Sequence, residues 1–331
     1  MSTVVTVELP DDALAASVVD GLARVERGLQ EAVRAKHELL GETSRHLIAA
    51  GGKRFRATLL LLAAQFGNSA DPRVVPAAVA IELTHLATLY HDDVMDEAAV
   101  RRGLESANTR WDNTVAILTG DFLFARASQI LADLGAEAVR IQAETFSRLV
   151  SGQIAETVGP RPGEDPLGHY LGVVTDKTAS LIATSGLFGA MFSGAPAAVT
   201  QRIQPACEAL GIAYQLCDDI LDVASESAQS GKTPGTDLRE GVLTLPMLHA
   251  LRSSGPGDRR LVELLSRGEL TDPQLHAEAL ALLRGHPAIE LARSDTRRWA
   301  QTAREEILAL PDAPARAAFE ALCEFVVERT G

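Results

Sequence analysis

Residues 178–201 carry no charged side chain. A run of that length is enough to cross a bilayer, so it must be buried somewhere. It also holds Gly186, Gly189, Gly194, Pro196 and several Ser and Thr. A buried central helix in a large helical protein accounts for that mixture better than a membrane span does. Helical spacing recurs on both sides of the run and strand-like alternation is scarce. Aromatic residues make up only 4 % of the chain, while Ala and Leu are abundant.

The breaks between helical stretches are short and rich in Gly, Pro, Ser and Asp. They fall near Gly67–Pro76, Gly159–Pro166, Ser225–Asp237, Ser253–Asp258 and Leu310–Pro314. None has the character of an interdomain linker. The expectation is one all-α domain over residues 1–331, a single large bundle of about a dozen helices. Residues 1–34 read as an N-terminal extension of one or two amphipathic helices.

Lys and Arg number 31 against 44 Asp and Glu, so the formal charge is 31 − 44 = −13. A general nucleic-acid binder carries the opposite sign. Part of the acidic excess is expected at a site for metal cations. The three cysteines, Cys207, Cys217 and Cys323, form no CxxC pair. That argues against a disulfide framework or a zinc site and fits a reducing, cytoplasmic setting. The N-terminus MSTVVTVELPDD has no basic region followed by an apolar run, so no signal peptide is expected.

Two segments carry the chemistry. His91-Asp92-Asp93-Val94-Met95-Asp96 and Cys217-Asp218-Asp219-Ile220-Leu221-Asp222 both contain DDxxD. Each follows an apolar run that reads as helix, Ala80–Tyr90 and Ala206–Leu216. On a helix the residues i and i+4 share a face, so Asp92 aligns with Asp96 and Asp218 with Asp222. Clustered carboxylates repel unless cations sit between them. Magnesium suits such a site, since it takes oxygen ligands, keeps waters and is completed by substrate phosphates. A solvated acidic face explains one such cluster but not two at the ends of apolar helices. The loop spacing of an EF-hand is absent.

A cationic set stands beside the carboxylates. Gly51-Gly52-Lys53-Arg54-Phe55-Arg56 precedes an apolar run, and Arg101-Arg102-Gly103 follows the first cluster. Lys177-Thr178 opens the charge-free stretch, and Gly231-Lys232 follows the second cluster. Each alone is an ordinary surface charge. Together, in an acidic chain, they point to diphosphate anions.

GGKRFR, the two DDxxD clusters, RRG, KT and GKTPGTDL stand in the order found in trans-isoprenyl diphosphate synthases, the polyprenyl synthetases. The chain resembles that family from about Val33 to EFVVER near the C-terminus. The resemblance implies an all-α fold around a central active-site cavity, a homodimer, and dependence on Mg2+, with about three ions per site when diphosphate is bound. It implies the joining of isopentenyl diphosphate to an allylic diphosphate such as farnesyl or geranylgeranyl diphosphate. Position by position, Lys53, Arg56, His85 and Arg102 resemble the isopentenyl diphosphate site. Asp92, Asp93, Asp96, Asp218, Asp219 and Asp222 resemble the metal shell. Arg101, Lys177 and Lys232 resemble direct contacts to the allylic diphosphate, and Thr178 and Gln215 the polar groups near the developing carbocation. Closure of the Ser225–Asp237 loop is expected to exclude water. One departure is Val242, where many relatives have a lysine after DLREG.

Product length is expected to follow the residues below the first cluster. Ala87 and Thr88 lie about one turn before Asp92, and Thr84 a further turn away. All are small, which resembles the medium- and long-chain members; equally, small residues permit close helix packing. Phe146 and Leu149 on a facing helix are candidates for a deeper floor. The chain is not expected to be an integral membrane protein, although its product is suited to delivery to one. Rival readings are a short-chain synthase, a class I terpene cyclase and a non-catalytic subunit of a heteromeric synthase. The second DDxxD and GGKR weigh against the cyclase, and the six retained aspartates against the subunit.

Overall fold

A computed structural model describes residues 9, 11–225, 234–255 and 257–329. Lys232 and most of the Ser225–Asp237 loop lie outside the described residues, as do residues 1–8 and 10 of the N-terminal extension. The regular structure of the described residues is helical, apart from one two-stranded ribbon. Sixteen α-helices among the described residues exceed the dozen expected, the excess lying in the short helices Ala107–Arg110, Thr236–Glu240, Leu245–Leu251 and Arg259–Leu265. The helices that matter for the site are α1 (Asp12–Ala32), α3 (Phe55–Ala64), α4 (Val74–Met95), α6 (Asn113–Leu134), α7 (Ala136–Val158), α8 (Pro166–Val173), α9 (Ser180–Ser193), α10 (Ala197–Ala224) and α11 (Thr236–Glu240).

The chain forms two compact units. One comprises Met1–Ser147, Leu181–Cys207 and Ile307–Ala321; the other comprises Arg148–Ser180, Glu208–Glu306 and Leu322–Gly331.

In the first unit α4 packs on α1, α3 and α6. Helix α1 begins at an Asp11 cap, whose carboxylate accepts the Leu14 N–H at 2.7 Å. Its buried face is Leu14, Val18, Leu22, Val25 and Leu29, the three- and four-residue spacing of an amphipathic helix. Helices α3 and α4 are mostly apolar and largely buried, with Ala57, Leu59, Leu60, Leu62 and Leu83 fully buried.

The charge-free stretch is not one helix. Helix α9 stops at Ser193, the chain turns at Gly194 with φ +67°, and α10 starts at Ala197. Fourteen residues rise about 21 Å, short of a bilayer core. The glycines have a packing reason. A Cβ on Gly189 would strike the Leu60 carbonyl oxygen of α3, and one on Gly186 would lie 2.5 Å from Cys207 Sγ on α10. They bring helices together where no side chain fits. Among the described residues the helix long and apolar enough to cross a membrane is instead α6, with a mean hydropathy of 1.3 over its best window. It carries Asp121, Arg126 and Asp133, and Arg126 Nε donates to the Ala32 carbonyl of α1 at 2.6 Å.

In the second unit Val174, Ile212, Leu216, Ile220, Leu245 and Ala292 form one buried cluster, with Leu167, Tyr170 and Trp299 packed against it. A second cluster gathers Val223, Leu238, Met247, Leu264, Leu283 and Ile289. The Val174–Ala179 turn between α8 and α9 is a π-helix. Such widened turns are rare and are frequently found at functional sites.

Candidate active site

The predicted apolar run Ala80–Tyr90 lies inside α4, and the first aspartate cluster forms the end of that helix. Asp96 is the C-cap, and its N–H donates to the Asp92 carbonyl at 2.8 Å, so the i, i+4 alignment holds. Ala98 N–H donates to Asp93 O and Glu97 N–H to Val94 O, with Glu97 left-handed at φ +48°. This is the Schellman arrangement, with a glutamate where glycine is usual. It turns the chain back, and Arg101 Nε reaches Asp93 Oδ1 at 2.5 Å. Asp93 is fully buried, and burial raises its pKa against the pull of Arg101. Its second oxygen, Oδ2, is buried without a hydrogen-bond partner. A buried carboxylate oxygen left in that state is costly unless a cation completes it.

Arg101-Arg102-Gly103 is the turn of the ribbon. Val100 pairs with Glu105 and Arg101 with Leu104, while Arg102 and Gly103 both have positive φ, the two-residue hairpin geometry. Arg102 donates to the carbonyl of Leu47 at 3.1 Å and to that of Gly51. A Cβ on Gly52 would lie 2.9 Å from the Arg102 guanidinium carbon. With φ +153° as well, Gly52 is needed on two counts. The glycine pair of GGKRFR therefore seats Arg102.

Within that motif the arginines divide. Arg54 is 5 % exposed, left-handed at φ +47°, and paired with Glu26 and Glu82. Glu82 also accepts the Ala57 N–H at 3.0 Å, so this ion network fastens the start of α3 to α4 and α1. Arg56 is half-buried and Lys53 exposed. His85, on α4, is held well below its ordinary pKa by burial first, then by Arg56, Arg102, Arg54 and Arg101. The same crowding lowers Arg102 to about 10, with burial the largest cause. Arg56, Arg101 and Arg102 are thus brought together around a neutral His85 as a cationic cluster that favours a polyanion.

Below the cluster, Ala87 is 1 % and Thr84 2 % exposed. A Cβ on Gly120 would lie 3.1 Å from the Ala87 carbonyl oxygen, so α6 crosses α4 closely here. Thr88 donates to the His85 carbonyl at 2.8 Å, and Gln142 Nε2 to Thr84 Oγ1 at 3.3 Å. Phe146 packs on Phe124 with ring centroids 4.0 Å apart and the planes tilted by 32°.

In the second unit the three aspartates of α10 have three different surroundings. Asp218 is paired with Arg329 at 3.0 Å, with the aspartate side chain 39 % exposed. Asp219 is 5 % exposed; Tyr170 donates to its Oδ2 and Gln215 Nε2 to its Oδ1 at 2.8 Å. Burial, opposed by those hydrogen bonds, pushes its pKa up to about 7. Asp222 accepts the backbone N–H groups of Thr236 and Asp237, each at 3.2 Å, fixing the start of α11.

Lys177 and Thr178 lie in the π-turn. Lys177 pairs with Glu156 on α7, and Thr178 Oγ1 donates to Gln215 Oε1 at 3.4 Å. Arg148 clamps Asp176 at 2.8 Å and Glu208 at 2.7 Å. Val242 is 38 % exposed and donates to the Asp237 carbonyl at 2.9 Å. Sequence reasoning passed over Tyr170, Glu156, Gly152, Arg148 and Arg329. None belongs to a short motif of its own, although Tyr170 precedes Lys177 by seven residues and Arg329 ends the EFVVER segment.

Among the described residues no three His, Cys, Asp or Glu side chains converge as a ready metal cage. The oxygen-only donors, with Asp93 Oδ2 buried and unpartnered, fit a hard divalent cation whose shell is completed by water and substrate.

A helical chain with two DDxxD helix ends and a cationic cluster beside the first defines a diphosphate-handling enzyme. Residues 37–283 match the polyprenyl synthetase family model. The chain is 49 % identical over 331 residues to nonaprenyl diphosphate synthase of Mycobacterium tuberculosis, covering all of this chain and 98 % of that one. It resembles the crystal structure of geranylgeranyl pyrophosphate synthase from Corynebacterium glutamicum complexed with calcium and isoprenyl diphosphate, with TM-score 0.88, 43 % identity, and 98 % and 100 % coverage. It also resembles a decaprenyl diphosphate synthase from Rhodobacter capsulatus, with TM-score 0.87, 35 % identity, and 97 % and 100 % coverage. The chain belongs to the polyprenyl synthetase family. It is a prenyl-transferring enzyme with the all-α fold of the isoprenyl diphosphate synthases.

Proposed function

We propose that this chain condenses isopentenyl diphosphate with farnesyl or geranylgeranyl diphosphate into a medium- or long-chain all-trans polyprenyl diphosphate. It acts as one catalytic domain over residues 1–331, in a cytoplasmic homodimer that needs Mg2+. The observation that carries the reading is the cationic cluster of Arg56, Arg101 and Arg102, with neutral His85 among them, beside the buried Asp93 carboxylate. The 49 % identity over the full length to a nonaprenyl diphosphate synthase and the small Ala87 and Thr88 support the product length. Exposed Ile117 and Leu118 on α6 support the homodimer.

Lys53, Arg56, His85 and Arg102 hold isopentenyl diphosphate. Arg101, Lys177 and Lys232 hold the allylic diphosphate, whose C–O bond breaks as negative charge grows on the leaving group. Asp92, Asp93 and Asp96, and in the second cluster Asp218 and Asp222, would hold magnesium, which would neutralise diphosphate charge. Thr178 and Gln215 present oxygen atoms to the allylic cation. The isopentenyl double bond attacks that cation, and the departing diphosphate takes the released proton. Water must be kept out, because it would quench the cation.

The test is incubation with magnesium, labelled isopentenyl diphosphate and farnesyl diphosphate, followed by sizing of the product. The expected result is a ladder ending well beyond geranylgeranyl diphosphate. A stop at geranylgeranyl diphosphate sinks the length assignment alone. No extension from any allylic primer sinks the assignment of this activity to the chain.

A further inference from the structure

The middle aspartate of the second cluster has surroundings unlike those of its neighbours. Asp218 is partly exposed against a guanidinium, and Asp222 is engaged with backbone N–H groups. Asp219 is 5 % exposed, and each of its oxygens accepts a hydrogen bond from a neutral side chain, the Tyr170 hydroxyl on Oδ2 and the Gln215 amide on Oδ1. Gln215 and Asp219 are four residues apart on α10, the spacing at which glutamine and aspartate side chains meet. In its ionised form Asp219 accepts but does not donate, and in that form it selects the NH2 end of the amide. The amide oxygen then has one direction left, toward Thr178, whose hydroxyl donates to it at 3.4 Å.

We propose that Asp219 is a positioning residue: held by Tyr170, it fixes the Gln215 amide with its oxygen turned beside Thr178, and it does not ligate metal. The inference rests on the reading above that Thr178 and Gln215 face the reacting carbon. An amide oxygen stabilises a developing cation, whereas an NH2 group in its place repels it. Because no atom of Asp219 needs to touch substrate, its loss acts on the chemical step through Gln215. Asp219→Asn removes the selection, since an asparagine both donates and accepts and permits either orientation of Gln215.

The test compares Asp219→Asn, Tyr170→Phe and Asp218→Asn in the full chain. Turnover is followed against substrate and Mg2+, and Mg2+ binding with inorganic diphosphate is followed separately by calorimetry. The expected result for Asp219→Asn is a kcat loss of about 10- to 100-fold. Both KM values and the Mg2+ affinity should stay within about twofold, which is small beside a tenfold, 1.4 kcal/mol change. Tyr170→Phe should show the same pattern with a smaller loss. Asp218→Asn should weaken Mg2+ binding about tenfold or more, as loss of a ligand does. The proposal is overturned if Asp219→Asn weakens Mg2+ binding as much as Asp218→Asn does, or leaves kcat unchanged. Should Asp219→Asn fail to fold, Tyr170→Phe decides: lower kcat at unchanged Mg2+ affinity upholds the proposal, and any other pattern ends it. Failure of the unsubstituted chain to make product counts against the assigned activity, not against this role.

Discussion

Gly152 of α7 and Lys177 of the π-turn approach so closely that a Cβ on residue 152 would lie 2.5 Å from the Lys177 backbone nitrogen. The lysine of the KT motif is therefore set by a glycine 25 residues earlier in the chain (177 − 152). Gly152→Ala gains up to about 1 kcal/mol of helix propensity. The clash is with backbone, which does not move aside as a flexible side chain would, and overpacking of this kind costs about 1–3 kcal/mol. The net expectation is lower stability in urea and a several-fold higher KM for the allylic diphosphate. Higher stability at unchanged KM would show that the approach places no constraint on Lys177.

Arg54 stands one residue from Lys53 and two from Arg56, yet it faces the protein interior. Removing it by Arg54→Met leaves Glu82, 2 % exposed, as an uncompensated buried charge. The expected loss is about 3–5 kcal/mol by urea denaturation. Adding Glu82→Gln should recover part of that loss. If Arg54→Met alone unfolds at the unsubstituted midpoint, the buried pair contributes nothing.

His85 is expected to stay neutral through the working pH range. Its folded pKa is depressed, so the native protein binds fewer protons at that site than the unfolded chain. The stability from this group is present above about pH 6.5 and is lost as pH falls below it toward the folded pKa, at up to about 1.4 kcal/mol per pH unit. Denaturation midpoints from pH 7.5 down to 5 should fall more steeply in the unsubstituted protein than in His85→Gln. Parallel slopes would remove His85 from the account.

Ala87 is 1 % exposed where α6 crosses α4. Ala87→Phe should shorten the product by blocking growth about one turn below Asp92, and should cost about 1–3 kcal/mol through overpacking. Sizing products from farnesyl diphosphate checks the first, and thermal unfolding the second. A destabilised enzyme making the same product would mean that Ala87 serves helix packing alone.

The catalytic vocabulary was legible in the sequence wherever the physics is local. Asp92 and Asp96 share a helix face because an α-helix turns about 100° per residue, whatever surrounds it. The helical runs Ala80–Tyr90 and Ala206–Leu216 appear inside α4 and α10 for the same reason. The charge-free stretch read correctly as buried at its core, since Leu181, Ile182 and Phe188 are 3 % exposed or less. Its division at Gly194 was not legible, because a glycine and a proline in an apolar run suit a helix contact as well as a turn.

By itself the sequence determined an all-α, acidic chain with paired aspartate helices and a set of cations in motifs beside them, since period, charge and spacing are properties of neighbours along the chain. The tertiary structure alone decided which member of each set does what. Arg54 is a buried clamp and Arg102 is seated by Gly51 and Gly52. Asp218 is open while Asp219 is enclosed by Tyr170 and Gln215. The reason is that desolvation and hydrogen bonding depend on which distant side chains are brought within about 3 Å, and no spacing along the chain encodes that distance.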